Sequence, residues 1–442
     1  MLTCILAETS RGRVYLPAVA EHERLGRVNE ATWKPEQIVT EPCHDVDRLP
    51  MYGMPTWGDA FTPRQFTALS TLSTLVMAVR SDIEKDASDS GMSDGDASAY
   101  ANSVVTFLAL IQDRCADFNN SICRWKATGQ QTIQLHARQA IPMVWDFVEA
   151  NIMGEKAVCW ATAVDICADA LEVIGTGAES VGSAKQVDAA NGATGVDGLL
   201  VSTDPPYYDN IGYAALSDFF YVWLRRSLGD LYPELFSTML VPKSRELTAS
   251  PERFDGDREK AKEHFESGFR QTFSKLRERL DPRYPLTVYY AFKQNDDEDT
   301  GDEDSEADGG GVDLTTGWET LLDALISSGF AITATWPLRA SQSWRLLSMG
   351  SNALASYIVL ACRSRPADAQ RVGRNAFVAD LKRELPPALR HLQQGNVAPV
   401  DFFPSGHRPR HGRLFPLQRR AGKQRQAHER PHRIGAHQRH EG

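Results

Sequence analysis

The sequence lacks any uninterrupted apolar run of about eighteen residues, the length that a membrane-spanning helix requires. A secretory signal pattern is also missing, because the short apolar patch near the start is soon followed by Arg11 and Arg13. We therefore expect a cytoplasmic protein with no membrane segment.

Cysteine is scarce, with seven residues in a chain of 442 and no CxxC pair among them. Disulfide frameworks and zinc sites both need cysteines at short, regular spacing. The sequence predicts reduced, partly buried thiols and no metal site.

Apolar residues, in contrast, are plentiful. They make up 42% of the chain, and the formal net charge is −10. A chain of this length can form two or three domains with buried cores, so disorder is excluded as the main state.

The acidic charge is concentrated in one block. Nine acidic residues and no basic ones lie between Asp296 and Asp308, and glycines follow. Such a block repels itself and stays hydrated, which predicts an exposed acidic loop over 295–312. The alternative is a mimic of nucleic-acid phosphate.

The opposite charge dominates 405–442, which holds ten Arg or Lys residues, two Glu residues and six of the eleven histidines. This tail has neither a helical nor a strand period. Three interpretations remain open: an out-of-frame translation product, an ordinary disordered tail, or a basic arm for nucleic acid.

Helical patterns dominate residues 1–175. Thr62, Pro63 and Gln65 form a capping box, and Phe66, Leu69, Leu72 and Val76 then follow at helical spacing. The small polar residues 86–99 indicate a flexible loop. Further helices are predicted at about Tyr100–Phe118, Gln134–Ala150 and Glu155–Ile174.

Strands alternate with helices over 176–365, which predicts an α/β domain with an open, mostly parallel sheet and helices on both faces. Ligands bind such sheets at the carboxyl ends of the strands. A C-terminal helical extension is expected at 366–404. The predicted strands are Gly198–Thr203, Pro285–Phe292, Phe330–Trp336 and Ser356–Cys362, and the predicted helices are Tyr213–Leu228, Arg258–Leu280 and Thr316–Ser328.

The first of these strands runs directly into Asp204-Pro205-Pro206-Tyr207. Two prolines remove two backbone donors and hold the chain extended, so carbonyl groups and the Asp204 carboxylate remain as acceptors. Neighbouring acceptors suit an amino group with two hydrogens. The ring of Tyr207 offers a flat face on which a base can stack. The simpler alternative is a strand-exit turn with incidental prolines.

This tetrapeptide is the signature of amino-group methyltransferases, which take the target base out of the DNA helix. Its surroundings, including DPPYYDNIGYAALSDFFYVWLRRSLGD, LVPKSREL and MGSNALASYIVLACR, resemble the large adenine-specific DNA methylases that carry a zinc ribbon. The resemblance covers about residues 8–403 and implies a partial Rossmann-like methyltransferase sheet. It also implies DNA as substrate and S-adenosylmethionine (AdoMet) as methyl donor.

By position, the resemblance implies that Asp204, Pro205, Pro206 and Tyr207 hold the target amine and base. It implies that Tyr208, Asp209 and Asn210 extend this loop on the substrate side. Tyr290–Gln294 and Thr335–Ser341 would line the cleft.

Two features of that family are missing: the AdoMet-binding segment of the Asp-Pro-Phe type and the zinc-ribbon cysteines. The Gly175-Thr176-Gly177 segment follows a helical pattern instead of a strand, which favours a helix end. Asp188 is a weak candidate for donor binding. We therefore expect the C-terminal portion of a methylase, with a separate upstream polypeptide supplying the AdoMet-binding half.

Two functional hypotheses follow from the sequence. The first is an AdoMet-dependent DNA methyltransferase specific for the exocyclic amine of adenine, present as a fragment that is inactive alone. The second is a non-catalytic remnant that binds DNA or a partner chain. Methylation of RNA or of a protein glutamine is disfavoured, since protein-directed enzymes typically carry Asn at the position of Asp204.

Overall fold

The computed structural model describes residues 2–27, 31–39, 46, 48–137, 140–155, 158–175, 182–192, 196–208, 211–291, 314–339, 356–366, 368–369 and 372–394. The chain divides into two compact units. Unit 1 comprises Met1–Gln186 and Ile211–Glu246, and unit 2 comprises Val187–Asn210 and Leu247–Gly442.

Unit 1 contains two β-hairpins and most of the helices. The strands are β1 Cys4–Thr9, β2 Gly12–Pro17, β3 Arg124–Lys126 and β4 Gln131–Ile133; the helices are α1 Ala20–Gly26, α2 Arg48–Met51, α3 Pro63–Asp89, α4 Asp94–Phe118, α5 Trp160–Gly175 and α6 Tyr213–Leu228. β1 pairs antiparallel with β2, and β3 pairs antiparallel with β4. The sequence patterns did not predict either hairpin.

Helix α3 begins where the capping box predicts. The Thr62 side chain accepts from the backbone N–H of Gln65, and Oε1 of Gln65 accepts from the backbone N–H of Thr62. The apolar side chains predicted to form its buried stripe are indeed buried. This helix start and its core face are confirmed.

The flexible loop predicted at 86–99 is much shorter in the structure. Helix α3 continues to Asp89, and α4 already begins at Asp94 with Ser93 as its N-cap. Small polar residues here cap helices, which satisfies the backbone groups that a helix end leaves unpaired. Arg80 further joins the two helices by donating to Asn102 at 2.7 Å and to Ser98 at 3.0 Å.

The helix predicted at Gln134–Ala150 is wrong. Backbone N–H groups in this region donate to distant segments, Leu135 to the Asp117 carbonyl and Val148 to the Cys123 carbonyl. Pro142 also lacks the N–H that a helix interior needs.

The aromatic residues of α6 form part of the core of unit 1. Phe219 and Trp223 are fully buried. The Phe219 ring lies 5.6 Å from that of Phe61, and the Trp223 ring lies 5.3 Å from that of Trp33. This packing explains why residues 211–246 belong with unit 1, whereas the sequence placed all of 176–365 in one domain.

Unit 2 is built on a four-stranded sheet in the order β5-β6-β8-β7. Its strands are β5 Ser202–Thr203, β6 Leu286–Ala291, β7 Phe330–Arg339 and β8 Ser356–Ser364, and its helices are α7 Arg258–Arg279, α8 Leu314–Ser327 and α9 Arg374–Gln394. The protein is thus of the mixed α/β class, and α9 lies within the predicted extension 366–404.

The pairing corrects the expectation of a mostly parallel sheet. β5 pairs parallel with β6, whereas β8 pairs antiparallel with both β6 and β7. Three strands therefore share one direction and β8 runs the other way between two of them. β7 and β8 follow each other along the chain, and antiparallel neighbours need no crossover helix.

Helices α7 and α8 pack on one face of this sheet. Alternate strand residues point to the same face, and Leu286, Val288 and Leu360 share a hydrophobic cluster with Phe269 of α7 and Leu321 of α8. These two helices cover one face of the sheet, and the predicted helices on the other face stay a prediction.

None of the described helices is long and apolar enough to cross a membrane. The cysteines within the described ranges are free thiols, and Cys115, Cys123, Cys159 and Cys362 are buried. No cluster of potential metal ligands occurs among those same residues. The acidic loop 295–312 and the tail 405–442 lie outside the described residues.

Candidate active site

The candidate site lies in unit 2, where the chain leaves β5. Ser202 and Thr203 pair with Thr287 and Val288 of β6, and the Val201 carbonyl accepts from the Thr287 N–H at 3.0 Å. Immediately afterwards the chain continues without regular structure through Asp204, which is exposed to solvent. This position is the carboxyl end of a parallel strand, where open α/β sheets bind their ligands.

Asp204 and Tyr207 contact each other directly. The Tyr207 hydroxyl donates to Oδ1 of Asp204 at 2.6 Å. A hydrogen bond to a carboxylate is stronger than one between neutral groups. The bond therefore orients the carboxylate and fixes one of its oxygens.

Tyr290 of β6 supports the ring of Tyr207. The two ring centroids lie 5.0 Å apart with an interplanar angle of 80°, an edge-to-face contact. Burial raises the pKa of Tyr290 far above its ordinary value. The ring of Trp318 in α8 lies 5.7 Å from that of Tyr290.

Tyr208 turns the chain after the tetrapeptide. Its φ of +51° lies in the left-handed region, which is rare for residues other than glycine. The backbone carbonyl of Tyr208 accepts from the Ala249 N–H at 3.1 Å, and its ring meets Phe265 edge-to-face at 5.1 Å. Contacts on both the backbone and the ring therefore hold this conformation in place.

Gly317 of α8 makes room for this turn. A Cβ built at Gly317 would lie 3.1 Å from Cβ of Tyr208 and 3.3 Å from the hydroxyl oxygen of Tyr290. Neither Gly317 nor Trp318 is among the residues that the sequence predicts for the site. A glycine inside a helical pattern indicates that another group packs closely against the helix backbone. Glycine weakens a helix, and close packing offsets this loss of stability.

The sequence-derived candidates are distributed as follows. Asp204, Pro205, Pro206, Tyr207 and Tyr208 are contiguous at the β5 exit, and Tyr290, predicted to line the cleft, contacts this loop. Asp209 and Asn210 lie outside the described residues, as do the ends of the predicted cleft segments beyond Ala291 and Arg339.

Asp188, the candidate for donor binding, caps a short 3-10 helix, Ala189–Asn191. Its Oδ1 accepts from the Ala190 N–H at 3.0 Å, and its Oδ2 accepts from the Asn191 side chain at 2.6 Å. These contacts give the carboxylate a local structural role. Its part in donor binding stays a prediction.

AdoMet is the donor that the family resemblance implies, and the described residues do not fit it. Gly175 ends helix α5 instead of following a strand, whereas a cofactor-binding glycine loop joins a strand to a helix. Both carboxylate oxygens of Asp188 accept local hydrogen bonds. Among the described residues, neither Gly175 nor Asp188 therefore stands in the strand-to-helix arrangement that a donor-binding loop requires.

No family model, no curated protein and no solved structure matches this chain.

Proposed function

We propose that this chain carries the acceptor half of an AdoMet-dependent DNA methyltransferase that modifies the exocyclic amine of adenine. The observation that carries the proposal is the placement of Asp204 and Tyr207. They sit at the carboxyl end of a parallel strand, the Asp204 carboxylate is exposed, and Tyr207 is fixed by its contacts with Asp204 and Tyr290. The sequence around this loop supports adenine, since cytosine-directed relatives more often carry Ser at the first position.

Each residue of the loop has a role in this proposal. Oδ1 of Asp204 is held by the Tyr207 hydroxyl, and we assign Oδ2 as the acceptor for one hydrogen of the amine. Pro205 and Pro206 have no backbone N–H, so they add no donor that would compete for the same acceptors. The ring of Tyr207 stacks on the base after it leaves the duplex, an interaction of about 1–3 kcal/mol per base.

The sheet of unit 2 is, in this proposal, the C-terminal half of a Rossmann-like methyltransferase sheet. The parallel β5–β6 pair supports this, as does the ligand-facing loop at its carboxyl end. A separate upstream polypeptide would supply the AdoMet-binding half, which is consistent with the poor fit of AdoMet to the described residues.

Methyl transfer from labelled AdoMet to duplex DNA tests the proposal, with the 442-residue chain alone and together with an AdoMet-binding upstream polypeptide. Asp204→Ala should lower transfer to adenine by about a hundredfold or more, as expected when a polar group acting on the transition state is removed. Asp323→Ala is the matched control, because Asp323 is an exposed carboxylate of α8. Full transfer by Asp204→Ala would rule out this role.

The poor fit of AdoMet favours a second candidate, a non-catalytic chain that binds DNA or a partner protein. Methyl transfer with an AdoMet-binding upstream polypeptide added separates the two, because neither candidate expects the isolated chain to bind AdoMet. Transfer that depends on Asp204 would contradict the non-catalytic candidate, and absence of transfer would support it. Micromolar binding of AdoMet to the isolated chain in titration calorimetry would contradict both, since the chain would then hold a donor site of its own.

A further inference from the structure

Two β-ribbons of unit 1 are largely exposed. Every residue of β2 is exposed, and so are both end residues of β3. An isolated two-stranded ribbon is marginally stable at best in water. The exposed apolar side chains of Val14 and Leu16 show that the first ribbon buries little of its own surface.

Positive charge is concentrated on these ribbons. Arg11, Arg13, Arg124 and Lys126 are all exposed, and Glu8 is the one acidic residue in the four strands and the turns that join them. None of the ion pairs seen among the described residues involves these four cations. This local excess of positive charge is opposite in sign to the net charge of the chain, which is −10.

The two ribbons meet at the turn between β3 and β4. The Arg13 guanidinium donates to the carbonyl of Gln130. Lys126 lies over the same turn, because a Cβ built at Gly129 would be 3.6 Å from Cδ of Lys126. Arg124 and Lys126 lie two residues apart on β3 and share one face of the ribbon, about 7 Å from each other. The contact between Arg13 and Gln130 joins the two ribbons, and we call the exposed side of these ribbons, with Arg11, Arg13, Arg124 and Lys126, the ribbon surface.

We propose that the ribbon surface binds double-stranded DNA. Glu8 lies opposite Arg13 in the β1–β2 register, so the four cations keep an excess of three positive charges over the ribbons. A polyanion complements this excess, and neutralised phosphates release their counterions. The major groove of B-form DNA is wide enough to admit a two-stranded β-ribbon. The major groove of A-form RNA is deep and narrow and does not admit side chains. A β-ribbon therefore fits duplex DNA better than duplex RNA. The choice of DNA rests partly on the proposed function. That function concerns a single base, and the ribbon surface would add a site for the duplex that carries the base.

Fluorescence anisotropy of a labelled duplex with the full 442-residue chain tests this inference, at several salt concentrations and without AdoMet. The test variant is Arg11→Ala/Arg124→Ala/Lys126→Ala, which keeps the contact between Arg13 and Gln130. Its matched control is Lys85→Ala/Lys185→Ala/Lys382→Ala, which removes the same charge from exposed positions elsewhere.

We expect the ribbon variant to bind DNA at least about tenfold more weakly near 0.1 M salt. Its salt dependence should be shallower, by about 0.9 in the logarithmic slope for each phosphate that the variant no longer neutralises. The control variant should match the unmodified chain. Arg11→Lys/Arg124→Lys keeps the charge and should retain the slope, which separates a loss of cations from a loss of folding.

Three results would overturn the inference: an unchanged affinity and slope in the ribbon variant, an equal loss in the control, or tighter binding to an RNA duplex than to DNA. Because binding is measured without AdoMet, a chain that binds through the ribbons but supports no methyl transfer even with the upstream polypeptide added would refute the proposed function alone. A chain that transfers methyl groups with unchanged affinity in the ribbon variant would refute the ribbon surface alone.

Discussion

The hydroxyl of Tyr207 donates a hydrogen bond of 2.6 Å to Oδ1 of Asp204 within a single tetrapeptide. In the function proposed above, one side chain offers an acceptor for the amine, and the other offers a ring for the base that carries it. The hydrogen bond would then couple the two, so that a base stacked on Tyr207 meets a carboxylate that is already oriented. The contribution of the hydroxyl can be separated from that of the ring by two substitutions.

Tyr207→Phe removes the hydroxyl and keeps the ring. We expect transfer to adenine to fall by about tenfold, because a hydrogen bond to a charged group contributes about 1.5–3 kcal/mol. Tyr207→Ala also removes the ring and should lower transfer further, by the additional 1–3 kcal/mol or so of a stacked base. Duplex DNA with 2-aminopurine at the target adenine reports the stacking directly through its fluorescence.

Tyr284→Phe is the control for these variants, since Tyr284 is an exposed tyrosine elsewhere in unit 2. Equal losses in Tyr207→Phe and Tyr207→Ala would show that the ring does not stack on the base. Equal 2-aminopurine fluorescence in all variants would show that the target base does not bind at this site.

Gly317 should not tolerate a side chain. Alanine would normally strengthen a helix by about 1 kcal/mol relative to glycine. At this position, however, its Cβ would lie 3.1 Å from Cβ of Tyr208 and 3.3 Å from the Tyr290 hydroxyl oxygen. We expect Gly317→Ala to lower the free energy of unfolding by about 1 kcal/mol, as overpacking does, and to lower methyl transfer by displacing the loop.

Gly95→Ala in α4 is the matched control, because no heavy atom lies within 4 Å of a Cβ built there. This variant should be neutral or slightly more stable in urea denaturation. A Gly317→Ala variant as stable as Gly95→Ala would mean that Tyr208 and Tyr290 move aside at little cost.

Local patterns predicted much of the helical structure. The bounds of α6 match the sequence, and those of α7 match to within a residue, because long amphipathic runs define both. Failures occurred where a local pattern competes with distant partners. Residues 134–150 have a helical pattern, yet the N–H groups of Leu135 and Val148 donate to the distant carbonyls of Asp117 and Cys123. The sheet order was not predictable either, because strand neighbours are set by tertiary packing.

The candidate site likewise combines local features that the sequence predicts with distant contacts that it does not. Asp204 to Tyr207 could be found from the sequence because the whole arrangement lies within four residues. Gly317 and Trp318 are more than a hundred residues away and reach the loop only through the packing of α8. The sequence around a single glycine or tryptophan does not identify the distant residue that it contacts in the fold.

Lys243 compensates a buried negative charge in unit 1. Asp218 is fully buried, its Oδ1 accepts from the Val241 N–H at 2.8 Å, and its Oδ2 lies 2.7 Å from Nζ of Lys243. Lys243→Met should lower the free energy of unfolding by about 3 kcal/mol, because it removes the ammonium group that lies beside a fully buried carboxylate.

Lys275→Met provides the comparison, since Lys275 and Glu278 form an exposed pair at 3.7 Å. Exposed pairs contribute little, so this variant should stay within about 0.5 kcal/mol of the unmodified chain. Similar losses in both variants, measured by urea denaturation, would show that Lys243 stabilises the fold through packing and not through charge.

Asp113 should make the stability of unit 1 depend on pH. Burial raises the pKa of this carboxyl well above its ordinary value, and the charge of Asp117 raises it further. The folded chain therefore keeps a proton that the unfolded chain releases above about pH 4, so stability falls as pH rises from there toward the folded pKa.

Asp113→Asn removes this titration, and its stability relative to the unmodified chain should increase between about pH 4 and pH 7. Asp165→Asn, an exposed control, should show no such trend. A constant difference between Asp113→Asn and the unmodified chain, in denaturation series across this range, would mean that Asp113 is ionised in the folded protein.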